Sequence, residues 1–297
     1  MGPRFLGGVL LVASLAVTGV SAQDQFHVFA RLSDNTGAPV ETATVETFRI
    51  LEDGVEGKVV KVEPVDWPLK LQILVDNGLG MGSENLGLLR ESLRTLIDAV
   101  PPNAEVTLVT TAPQPRFLVR STKDHKALQE GVNRLAPDSS TGFFVASLAE
   151  ALERISRDKS DHFPVILTIG TTTGDADVRE REAKSIQARL NEQRHTIVHV
   201  VMITSSGQSL GGGANQADLG ISAAKQTRGR YENINNAMAL RTVLVSFAEQ
   251  IGKSFNSSSG RFRVTVQRPS GKSGDLGKVG VAARGGLVPS DVTVEAK

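Results

Sequence analysis

The chain has 297 residues, 40% of them hydrophobic and 22% charged, which is enough for a full core and a smaller second unit. Its 33 basic and 32 acidic side chains nearly cancel, so no basic excess points to nucleic acid or to an anionic membrane. Aromatics make up 4%, with Trp67 and Tyr231 the single Trp and Tyr, which argues against stacking platforms for bases or sugar rings; the lack of cysteine excludes disulfides.

In chain order, residues 1–22 read as a signal peptide. Arg4 precedes the apolar run "FLGGVLLVASLAVTGV", and small residues in "VSA" lead to Ala22. On this reading the mature chain starts near Gln23, keeps no membrane anchor and is periplasmic or secreted. Residues 23–68 form an N-terminal β segment: "HVFARLSD", a turn at "NTGAP", "TFRILEDG" with an Asp-Gly turn, then "KVVKVEPV".

Residues 69–252 alternate strand and helix. "LKLQILVD", "EVTLVTT", "FPVILTIG" and "TIVHVVMIT" are nearly continuous apolar runs, as expected of strands buried on both faces. Between them lie amphipathic stripes: Leu86, Leu89, Leu93, Leu96, Ile97 and Val100; Val145, Leu148, Leu152 and Ile155; Leu240, Val243, Leu244, Phe247 and Ile251. The predicted class is α/β, a doubly wound and mostly parallel sheet. Residues 253–297 return to strands in "RFRVTVQRP", "GKVGVAA" and "DVTVEA", forming a C-terminal β segment. Residues 23–68 carry 9 acids and 4 bases, residues 253–297 carry 3 acids and 8 bases, and the opposite charges favour one small β module made from the two segments, flanking the α/β domain.

The stretch "QILVDNGLGMGSEN", residues 72–85, has the strand–glycine turn–helix order of a nucleotide-binding loop. Gly78 and Gly80 fit a dinucleotide fingerprint, but Ser83 stands at its third glycine, and the next strand ends in Thr and Ala instead of an acid that would hold a ribose. "GKS" at 252–254 and 271–273 lacks the upstream glycine of a phosphate loop. "GQSLG" at 207–211 matches a nucleophile elbow around Ser209, yet "GGGANQ" follows where a helix is needed. His199 lies in the apolar run "TIVHVVMIT" and reads as a core histidine. These features predict no enzyme and no cofactor.

The order of elements resembles a von Willebrand factor type A (VWFA) domain. "TATVETFRILEDGVEGKVVKVEPVDWPLKLQILVD" resembles the lead-in of secreted bacterial VWFA-related proteins, and "STKDHKALQEGVNRLAP" and "AAKQTRGRYENINN" resemble later VWFA blocks. The resemblance implies a VWFA-like sheet and a divalent cation at its C-terminal edge, held by D-x-S-x-S, a threonine and a second aspartate, a hard-cation site built of oxygen ligands.

Carried over position by position, Asp76 matches the first aspartate and Thr141 the threonine. The two serines align with Gly78 and Gly80, and the second aspartate with Ile169. The resemblance therefore implies a degenerate metal-ion-dependent adhesion site with no bound metal. Serines at 78 and 80 together with Ile169→Asp are expected to recreate the ligand set. Asp76, Asn77, Thr141 and Asp175 are the candidate ligand-binding residues. The expected function is an exported, non-enzymatic, metal-independent protein-interaction domain with a protein partner. The alternative is a metal-dependent adhesion domain using Asp76, Thr141 and a displaced acid, Asp175 or Asp177.

Overall fold

The computed structural model describes residues 25–173, 180–192, 195–204, 213–258 and 261–296. Two compact units emerge: Asp66–Ser258, and a second built from residues 25–65 and 261–296.

In the larger unit, six strands form one sheet: β4 (Leu69–Val75), β5 (Glu105–Thr110), β6 (Arg116–Thr122), β7 (Phe163–Thr171), β8 (Ile197–Ile203) and β9 (Tyr231–Ile234), in the order β6-β5-β4-β7-β8-β9. Every pairing is parallel except β5 with β6, so the sheet is mixed. The exception follows from chain length. Residues 111–115 are too few for the dozen-residue crossover a parallel neighbour requires, so the chain turns back as a hairpin.

Helices cover both faces. On one lie α1 (Leu86–Ala99), α2 (His125–Arg134) and α6 (Leu240–Ser258), packed on Leu71, Ile73, Val75, Leu167 and Ile169. On the other lie α3 (Phe144–Arg157), α4 (Glu180–Glu192) and α5 (Gly213–Gln226), packed on Leu74, Ile166, Val198, Val200 and Met202. Successive strand residues alternate between two apolar layers, which is why these strands read as continuous hydrophobic runs. Asp124 starts α2 by accepting hydrogen bonds from the amides of Lys126 and Ala127 at 2.9 and 3.1 Å.

The smaller unit is one antiparallel sheet, ordered β11-β2-β3-β10-β1-β12, of β1 (Gln25–Ser33), β2 (Phe48–Glu52), β3 (Val55–Pro64), β10 (Arg261–Gln267), β11 (Val279–Ala283) and β12 (Val288–Ala296). Phe26, Val28, Phe48, Ile50, Phe262 and Val264 form its core. The "LEDG" motif has a physical account here. Asp53 and Gly54 both take positive φ, 49° and 82°, the backbone a tight β2–β3 hairpin requires. Glu52 is 1% exposed in its side chain and pairs with Arg268, 6% exposed, whose Nε donates to Oε2 at 3.0 Å. The Gly277 amide donates to the same carboxylate at 3.1 Å, and Arg268 also donates to the carbonyls of Gly274 and Asp275. Lys272–Asp53 at 2.7 Å, Arg263–Glu63 at 3.3 Å and Arg284–Glu56 at 3.8 Å likewise join a C-terminal base to an N-terminal acid.

Candidate functional site

The connections leaving β4 and β7 run to opposite faces of the sheet, so a crevice opens beyond the carboxyl ends of these two neighbours. Asp76 sits in it, 5% exposed, with its amide donating to the Ile169 carbonyl at 2.8 Å. Oδ1 accepts the Gly78 amide at 2.8 Å and Oδ2 accepts the Thr171 hydroxyl at 2.7 Å. Burial raises the Asp76 pKa above the ordinary aspartate value, against the opposing pull of these hydrogen bonds.

The glycines of "DNGLGMG" are held by close approach. A Cβ at Gly78 would stand 2.5 Å from the Ser140 carbonyl oxygen, and one at Gly80 would run into the hydroxyls of Thr171 and Thr173. A Cβ at Gly142 would collide with Oδ1 of Asp76. Residues 138–142 are folded down onto the β4–α1 loop, with the Leu79 amide donating to Ser140 and the Asp138 amide to Asn77, both at 2.8 Å.

Asn77 is a clamp between loops. Its Nδ2 donates to the Ala136 carbonyl at 3.0 Å, and its Oδ1 accepts the Ala112 amide at 3.1 Å. Thr141 lies beside Gly78 through its backbone, but among the described residues the side-chain hydrogen bonds of Asp76 come from Gly78 and Thr171. Asp175, Asp177 and Ser209 lie outside the described residues. Ile169, taken from the sequence as the counterpart of the second aspartate, is fully buried in the α1-side core. The residue that reaches Asp76 is Thr171, two positions further along the strand. The period-2 alternation of Val165, Leu167 and Ile169 on one face is the signal that leads to it.

A divalent cation does not fit these residues. Among the described residues Asp76 is the one carboxylate lining the crevice, which is narrow, and each of its oxygens accepts a hydrogen bond. Thr111, Thr168 and Thr173 carry buried hydroxyls without hydrogen-bond partners around it, but neutral hydroxyls supply no compensating charge. Among the described residues no group of three or more His, Asp or Glu side chains is placed to hold a metal.

A von Willebrand factor type A structure from Catenulispora acidiphila is similar in fold to 93% of this chain and 74% of its own, with a TM-score of 0.51 and 13% identity. The fold is that of a von Willebrand factor type A domain. Two further solved structures are similar at lower scores. BatB from Bacteroides thetaiotaomicron matches 62% of this chain and 99% of its own at 14% identity and a TM-score of 0.47. The vWF domain of the type V pili tip protein Mfa5 from Porphyromonas gingivalis matches 65% and 96% at 10% identity and 0.46. No family model matches the chain, and no curated protein matches it by sequence. The Asp66–Ser258 unit carries the mixed sheet with helices on both faces.

Proposed function

We propose that this chain is a non-enzymatic VWFA-type protein-interaction domain, exported by its N-terminal segment, that engages a protein partner at the C-terminal edge of its sheet without a metal ion. The observation that supports the metal-independent part is the setting of Asp76: each of its oxygens already accepts a hydrogen bond, from Gly78 and from Thr171, and among the described residues no second carboxylate lines the crevice. The edge is supported as the contact surface by large apolar side chains turned to solvent. Leu79 in the β4–α1 loop is 58% exposed, and Met238 in the β9–α6 connection is 73% exposed. Methionine is enriched at protein interfaces relative to the rest of the surface, so Met238 is the stronger of the two candidates. Among the described residues no helix is long and apolar enough to cross a membrane.

The test has two arms. Thermal unfolding of the full chain in millimolar Mg²⁺ or Mn²⁺ is expected to match that in chelator, whereas a site occupied at 100 times its dissociation constant would add about 2.7 kcal/mol. Pull-down from cell-envelope extract with wild type and with Leu79→Asp/Met238→Asp is expected to lose one partner band in the variant. A metal-dependent melting shift abolished by Asp76→Ala would establish instead the adhesion reading that uses Asp76, Thr141 and a displaced acid.

A further inference from the structure

At the other end of the same sheet the helices leave part of one face uncovered. Helix α3 packs on β4 and β7, and beside it the starts of β4 and β5 together with β6 wall a cavity of about 420 Å³. This lies within the size range of small-molecule sites. A register shift in the β5–β6 pair sets Leu108 opposite Val119 but Val109 opposite Phe117, and Phe117 forms a wall of this cavity.

The charges around it do not balance. Lys70 is spoken for by Asp158 at 2.6 Å, by Ser160 and by Glu105 at 3.8 Å, and Glu105 also faces Lys123 at 3.7 Å. The acids of the cavity are therefore already paired. One guanidinium, Arg120, is not, and a second, Arg154, has a single ion pair among the described residues, to Glu150. Arg120 lies over the Phe117 ring at 4.6 Å and, among the described residues, has no carboxylate within ion-pair distance. Arg154 lies 5.1 Å from the same ring. Its Nε donates to Gln72 at 2.9 Å and its Nη1 reaches Glu150 only at 3.4 Å, while its Nη2 is sealed from solvent without a hydrogen-bond partner. Burial lowers the Arg154 pKa, with Glu150 opposing it, so a second anion beside it would be stabilising.

We infer that this cavity is a binding site for a small carboxylic acid with a flat or apolar body, its carboxylate received by Arg120 and Arg154 and its body seated against Phe117 and Ile155. Guanidinium favours a planar oxyanion because its donors match both oxygens at once. The apolar side of the cavity favours a ligand with hydrocarbon over an inorganic anion. The site is independent of the partner surface proposed above and stands or falls without it.

The test is a titration of the full chain with benzoate, acetate and inorganic phosphate, followed by the arginine Nε–Hε and phenylalanine ring signals in NMR spectra. Benzoate is expected to shift the Arg120, Arg154 and Phe117 signals saturably in the millimolar range, more tightly than acetate or phosphate. Arg120→Gln, on an exposed residue, is expected to leave the melting temperature unchanged and to weaken benzoate about tenfold, the loss of one charge-assisted hydrogen bond. Phe117→Leu is a second variant, expected to reduce the preference for benzoate over acetate. Absence of saturable shifts at these residues, an unchanged affinity in Arg120→Gln, or phosphate binding as tightly as benzoate would overturn the assignment.

Discussion

Thr171 donates its hydroxyl hydrogen to Oδ2 of Asp76 at 2.7 Å, across the seam between β7 and β4 and within a narrow crevice. The carboxylate is buried, and among the described residues Gly78 and Thr171 donate to it and no counter-ion lies in hydrogen-bond reach.

Removing that donor should be costly. Thr171→Val leaves Oδ2 buried without a partner, and a loss of about 1–3 kcal/mol in urea unfolding at neutral pH is expected. In an Asp76→Asn background the same Thr171→Val change should cost much less, a double-mutant cycle that isolates the charge.

Asp76→Asn by itself should stabilise the protein at neutral pH. The folded-state pKa of Asp76 is raised, so the folded protein binds more protons than the unfolded chain above the ordinary aspartate value near 3.8. Its contribution to stability is fully present below that value and is lost as pH rises through the folded pKa. The advantage of Asn over Asp should therefore shrink as pH falls toward 4 in paired denaturation curves. A constant difference across that range would mean that the carboxylate titrates normally.

Serines restored at the two glycines are not expected to make a cation site. The sequence alone suggested that Gly78→Ser and Gly80→Ser, with Ile169→Asp, would rebuild one. The structure corrects this: Ser140 blocks the first position, Thr171 and Thr173 block the second, and Ile169 faces the core. The triple variant should melt well below wild type and should not recover in Mg²⁺ or Mn²⁺.

His199 gives a pH dependence of opposite sign. It is 1% exposed, lies edge-on to Phe247 at 5.4 Å and accepts the Arg230 amide at Nδ1 at 3.1 Å. Burial, with a smaller push from Arg230, lowers its pKa from 6.5 to about 4. The unfolded chain therefore binds the extra proton first. Stability from the neutral ring is complete above pH 6.5 and is lost as pH falls toward 4, by up to about 3 kcal/mol. His199→Gln in the Asp76→Asn background should flatten chemical-denaturation stability across this window.

In the smaller unit, Arg268→Met should destabilise by about 3–5 kcal/mol, because it strands the buried Glu52 carboxylate. The hydrogen bond from Arg268 is the main cause of the lowered Glu52 pKa, so wild-type stability from this pair is present above about 4.5 and lost as pH falls. Hydrogen exchange should quicken at residues 269–278, which Glu52 and Arg268 tie down.

Legibility in the sequence followed burial. β4, β5, β7 and β8 read directly because both of their faces are covered, and the stripe from Leu86 to Ile97 read as α1 because a single face is. β6 did not, since "RFLVRST" is an edge strand, mostly exposed or half-buried, with no apolar run. In the site, the place of Asp76 at the end of a buried strand was legible. The roles of Asn77 and Thr171 were not, because both depend on residues far away in sequence: Ala112 and Ala136 for one, Asp76 for the other. The steric need for Gly78 was hidden for the same reason, since the backbone that fills its Cβ position belongs to residues 140–142.

The register of β1 against β10 sets Gln25 opposite Gln267, and β1 is flanked on its other side by β12, so the first described strand lies between two of the last. That arrangement imposes an order of events on synthesis. The whole VWFA unit is complete in sequence before any partner of β1 leaves the ribosome, and β2 and β3 wait equally for β11 and β10. Contacts of such long sequence separation are slow to form. β1 must then stay unpaired for most of the chain's emergence, and the β2–β3 hairpin keeps both outer edges open to other chains. A chain stalled before residue 261 would carry a finished α/β domain and a half-sheet with nothing to close it, a form suited to disposal by proteases rather than to use.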